Sequence, residues 1–187
     1  MILSLLLPYA SAACVAALAI LAIARRQRTV ADWTFAAGML LLAIENVLIG
    51  LTDGAVTPDR VIYWQVWRIL VLSLLPGAWL LFSLSYARGN AVEFLVKWKL
   101  PVVAAFAVPI FTGMFFRDNL LVAVPEDLAA SRLIVRLGWS GFALNLCMLI
   151  ASVLVLMNLE RTFRASVGTM RWRIKFMVMG VGILFIV

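Results

Sequence analysis

The chain has 187 residues, of which 65% are hydrophobic and 13% charged, and it carries a formal net charge of +7 with no histidine. Its apolar residues run in blocks of about twenty, the length a helix needs to cross about 30 Å of hydrocarbon, which excludes a water-soluble globule. The blocks are unbroken rather than alternating residue by residue, so an outer-membrane barrel is excluded as well. The expected fold is all-α, a polytopic transmembrane helix bundle whose helices satisfy their own backbone polar groups.

The first block, 2–24, stops at Arg25, Arg26 and Arg28 and predicts a spanning helix. Small residues near Ala13 imitate a signal-peptide cleavage site, but no basic segment precedes them and the apolar run continues past them. A second span is expected over 33–51, ended by the polar turn 52–60. The third, 61–86, contains Pro76-Gly77 and is expected to kink there. A mixed loop follows, then a fourth span over 100–116, a polar loop over 117–136, a fifth span over 137–158 and a strongly basic segment over 159–175. The sixth block starts at 176 and is still apolar at Val187; its twelve residues would cover only about 18 Å. Five complete spans plus a truncated sixth are therefore expected, with residues 1–187 forming the transmembrane domain of a longer protein.

Placing the basic residues between these blocks gives an orientation, because cytoplasmic loops collect Lys and Arg. Arg25, Arg26, Arg28, Arg88, Lys97, Lys99, Arg161, Arg164, Arg171, Arg173 and Lys175, eleven of the sixteen, fall on one side. Arg60, Arg117, Arg132 and Arg136 fall on the other. The N-terminus is thus expected outside. The positive charge is a topology signal whose partner is the anionic inner leaflet of the bilayer, and nucleic acid is excluded as a partner because no soluble domain presents a basic face.

Glu45 is the only acidic residue well inside a span, and an ionisable group in hydrocarbon needs a partner. Counting residues places it about 9 Å from the outer end of its helix, with Arg68 about 10 Å from the outer end of the next and Asn145 about 12 Å inside the fifth. With Asn46 beside Glu45, these residues predict an outer-leaflet polar cluster of Glu45, Asn46, Arg68 and Asn145. Two readings of it stay open. An ion pair with interhelical hydrogen bonds would stabilise the bundle without a ligand; a shallow outward cavity rimmed by Tyr63, Trp64, Trp67 and Trp139 would bind one, although such aromatics also form interfacial belts. Cys14 and Cys147 lie inside spans, far from any ligand spacing, and are expected to be packing residues. Gly138 with Gly141, and Gly180 with Gly182, mark surfaces for close helix approach. No phosphate loop, Ser-His-Asp set or metal cluster occurs, so catalytic, cofactor-binding and metal residues are all expected to be absent from these residues.

Residues 158–176, NLERTFRASVGTMRWRIKF, form an unusually particular membrane loop. The segment 158–185 resembles the corresponding region of PrsK-type sensor histidine kinases, which are associated with PEP-CTERM protein sorting and exopolysaccharide export in Gram-negative bacteria. The outside N-terminus and the helix layout agree over the rest. The resemblance implies the sensory transmembrane domain of a two-component kinase in the bacterial inner membrane. It further implies cytoplasmic kinase domains beyond residue 187 that use ATP and Mg, dimerise and act on a cognate response regulator. Without histidine the chain itself holds no phosphoacceptor. Arg161, Arg164, Arg171, Trp172, Arg173 and Lys175 would then form a cytoplasmic signalling loop; read from the residues alone, 159–175 is an amphipathic element lying in the headgroup layer. The rival functions are a transporter or permease, which would bring internal repeats that are not found, and a structural membrane protein of an export complex.

Overall fold

The computed structural model describes residues 2–24, 29–86, 91–124, 134–165, 175–176 and 179–182. In chain order these form α1 (Ile2–Ile23), α2 (Val30–Asp53), α3 (Pro58–Ser85), α4 (Ala91–Lys97), α5 (Lys99–Phe115), a 3-10 turn (Arg117–Asn119), β1 (Leu121–Val124), β2 (Ile134–Leu137) and α6 (Trp139–Ala165). Four of the helices, α1, α2, α3 and α6, are long and apolar enough to cross a membrane. At 17 residues, or about 25 Å, α5 is shorter.

Local chemistry sets where the helices begin and end. Thr29 and Asp32 form a capping box, the Asp32 N–H donating to Thr29 Oγ1 at 3.3 Å and the Thr29 N–H to Asp32 Oδ2 at 2.9 Å. The reciprocal bonds satisfy two donors that a helix start leaves open, and α2 therefore begins three residues before its apolar block. Pro58 opens α3 at the one position where its missing N–H costs nothing. The helix then continues through Pro76 to Ser85.

α3 is the axis of the bundle, packing against α2 on one side and against α5 and α6 on the other, while α1 packs on α2. Its C-terminal half is buried nearly all round, as expected of a helix that is apolar on every face. There Trp79 meets Phe35 edge to face at a centroid distance of 6.0 Å, and it lies over Gly38, where an added Cβ would stand 3.4 Å from its ring. Leu80, Leu84, Val155, Leu159 and Val181 complete this core, and a smaller cluster of Val66, Leu120 and Leu144 closes the opposite end. Outward-facing Leu18, Ile20 and Leu21 of α1 and Phe142, Leu149 and Ile150 of α6 are exposed large hydrophobics, the surface that hydrocarbon covers when the helices span a bilayer.

Several sequence expectations are corrected. The chain is mostly helical, as expected, but the segment read as a polar loop over 117–136 contributes to an antiparallel hairpin that pairs Leu121 with Leu137 and Val124 with Ile134. Both of its strands are short runs rich in β-branched residues, which suit a pleated pairing better than a helix turn. The helix of the fifth expected span continues past 158, α6 running to Ala165. Leu159 and Thr162 carry its buried face onward, and Arg164 Nη2 donates to Glu160 Oε1 at 2.6 Å across one turn. The first part of the expected interfacial element, 159–165, thus forms the last turns of α6. Cys14 and Cys147 are exposed rather than packed, and Cys147 lines an apolar groove between α3, α5 and α6. Residues 175–176 and 179–182 are helical, and Arg25, Arg26, Arg28, Arg88, Arg132, Arg171, Trp172 and Arg173 lie outside the described residues.

Candidate functional site

The site grows from two helix stripes. On α3, Gln65, Arg68, Ile69 and Leu72 recur at helical spacing, so they share one face; on α6, Gly141, Leu144, Asn145 and Met148 do the same. These faces oppose each other around a cavity of about 360 Å³, closed at one end by Leu121, Val135 and Leu137 of the hairpin.

Glu45 reaches Arg68 from α2. Arg68 Nε donates to Glu45 Oε1 at 2.8 Å, and the two side chains are 34% and 11% exposed respectively. A carboxylate this enclosed would be costly alone, and the guanidinium supplies both the opposite charge and the donor. One nitrogen of the guanidinium is thereby committed to α2, while its two terminal amino groups have no acceptor among the described residues. Asn145 and Gln65 on the cavity wall likewise have no hydrogen-bond partner among the described residues. Asn46 is not part of this group, because its Nδ2 donates to the Leu42 carbonyl one turn back on its own helix at 2.8 Å. The expected cluster therefore reduces to Glu45, Arg68 and Asn145, with Gln65 added. Sequence reading missed Gln65 because it lies near the expected start of its span, where a polar residue calls for no explanation. Its i, i+3 spacing to Arg68 was the available signal.

Beyond the cavity the hairpin end is aromatic. Tyr63 and Trp64 meet edge to face at 5.0 Å, and so do Phe116 and Trp139. The Arg117 guanidinium lies 5.6 Å from the Tyr63 ring and 5.1 Å from that of Trp67, so a cation rests against both aromatic faces. This contact ties the end of α5 to the start of α3.

The other end of the bundle holds a second polar group, which sequence reading did not single out. Asn158 Nδ2 of α6 donates to Ser83 Oγ of α3 at 2.9 Å in a buried site, and Ser83 donates in turn to the Leu80 carbonyl at 2.8 Å. Thr162 Oγ1 returns to the Asn158 carbonyl at 2.9 Å, and Thr34 of α2 stands 3.4 Å from Ser85. The bonds hold α6 in register on α3. Asn158→Ala is expected to lower stability by about 1 kcal/mol, typical of an interhelical hydrogen bond in a bundle, as read from unfolding in mixed micelles. Arg161 and Arg164 are exposed on the last turns of α6, Arg164 paired with Glu160, and Lys175 is exposed as well.

Among the described residues no group of His, Cys, Asp or Glu is arranged to hold a metal ion. The arrangement offers recognition: a guanidinium and two carboxamides lining an otherwise apolar cleft. No known protein family matches the chain, and neither a curated protein nor a solved structure is similar to it.

Proposed function

We propose that the chain is the membrane-embedded input module of a sensor histidine kinase in a bacterial inner membrane. Its N-terminus lies outside, it has five spans and the start of a sixth, and its basic ends face the cytoplasm. The observation that carries this reading is the Arg68 guanidinium, held by buried Glu45 and open to a cleft between α3 and α6. The same two helices run unbroken from that cleft to the Ser83–Asn158 bond at the other end. A ligand that binds one α3–α6 spacing more tightly than another shifts the population of that spacing, and two rigid rods carry the shift across the membrane. The cation-rich composition supports the inside placement of the basic ends.

The resemblance of 158–185 to the PrsK-type kinases supports an output that regulates exopolysaccharide or PEP-CTERM protein export. In this reading ATP, Mg, the dimer contact and the response regulator all belong to kinase domains outside this chain. The test is made on the intact gene product in inverted membrane vesicles supplied with labelled ATP. The expected result is acid-labile phosphate on a histidine of the same polypeptide; its absence from folded protein overturns the kinase reading.

A further inference from the structure

We propose that the α3–α6 cleft binds the oxyanion of an anionic amphiphile, a phosphate monoester carrying an acyl tail. The terminal amino groups of Arg68 take the oxyanion as a fork, and the amides of Asn145 and Gln65 donate to its remaining oxygens. This deepens the input reading of the same site by naming its ligand class, and it rests on that reading.

Three observations lead to this ligand. The first is the orphaned donors. The guanidinium commits Nε to Glu45 at 2.8 Å, and its terminal amino groups are without acceptors among the described residues. Two parallel N–H donors on a rigid plane match the oxygens of a phosphate or carboxylate. The second is Asn145, exposed on a helix apolar enough to span a membrane and without a partner among the described residues. An unpaired amide in hydrocarbon is costly, so the cleft calls for a polar occupant rather than an acyl chain alone. The third is the character of the remaining walls, Ile69, Leu72, Leu144 and Met148, which leave nothing for a fully hydrated ion to bind and suit a hydrocarbon tail. Glu45 offsets the charge of Arg68, so the site recognises the oxyanion through directed donors and not through net charge. A cationic headgroup would meet the like charge of the Arg68 guanidinium.

The test uses the intact gene product in nanodiscs of phosphatidylcholine doped with phosphatidic acid, with retained lipid counted by native mass spectrometry. Wild-type protein is expected to keep one phosphatidic acid per chain against a phosphatidylcholine background. Arg68→Gln, Asn145→Leu and Gln65→Leu are each expected to weaken retention, Arg68→Gln by about tenfold or more, whereas Asn46→Leu, whose amide is committed to the Leu42 carbonyl on its own helix, leaves it unchanged. If Arg68→Gln does not fold, the two amide variants decide alone. Excess inorganic phosphate separates the sources: failure to displace the lipid supports an amphiphile site. Binding of inorganic phosphate with no retained lipid overturns the proposal, as does retention that is absent or equal in every variant. Retention is read independently of phosphohistidine, so loss of this assignment and loss of the kinase reading are distinguishable.

Discussion

Replacing Arg68 by alanine will lower the stability of the bundle by about 3 kcal/mol, the low end of what an uncompensated buried charge costs. The value is placed low because the arginine side chain is 34% exposed, whereas that of Glu45 is only 11% exposed. The substitution removes the charge and the Nε donor, and no other cation pairs with Glu45 among the described residues. Unfolding in mixed micelles, followed by tryptophan fluorescence, measures the loss. The informative companion is the double variant Glu45→Gln/Arg68→Gln. It keeps two groups able to hydrogen-bond and removes both charges, so it is expected to recover most of the deficit, to within about 1 kcal/mol of wild type. A double variant as unstable as Arg68→Ala would mean that shape rather than charge pairing holds α2 to α3.

Gly138→Ala and Gly141→Ala form the second large expectation. An added Cβ at Gly138 would collide with the Asn119 carbonyl oxygen, and one at Gly141 with that of Leu120. Both obstacles are backbone, which cannot rotate aside as a side-chain tip would. The Gly138 N–H also donates to the Leu120 carbonyl at 2.9 Å, fixing the start of α6 against the turn after α5. Each substitution is expected to cost about 3 kcal/mol, the upper range of overpacking, in the same unfolding measurement. Gly180→Ala is the control, since among the described residues nothing stands within 4 Å of the place a Cβ would take there, and it is expected to be neutral or slightly stabilising. Equal losses at Gly138 and Gly180 would contradict the close approach of α6 to the turn.

The pairing of Glu45 with Arg68 was legible because helix rise is constant. Neighbouring helices run antiparallel, so two residues at equal distance from the same end sit at equal depth. Depth does not give rotation about the helix axis. Asn46 has the right depth but turns to the Leu42 carbonyl, and only the packed fold distinguishes it from Glu45. The hairpin was illegible for a related reason: four-residue strands between charged residues carry too little periodicity to outweigh the reading as a loop. Asn158 reads in the sequence as the end of a span, although it is buried against Ser83. A polar residue at a membrane boundary usually meets water, and the sequence alone carries no sign that α3 covers this one.

The Glu45–Arg68 pair and the cleft beside it form, in the proposed reading, an input site whose state reaches the opposite end through α3 and α6. The measurement that tests this most directly is the phosphohistidine level of the intact gene product in membrane vesicles, compared between wild type and Glu45→Gln/Arg68→Gln at matched, verified folding. An altered level, by about fivefold or more, is predicted, corresponding to a coupling of about 1 kcal/mol between cleft and output. A double variant that folds like wild type and is phosphorylated to the same level would contradict the claim and leave the pair as bundle glue alone.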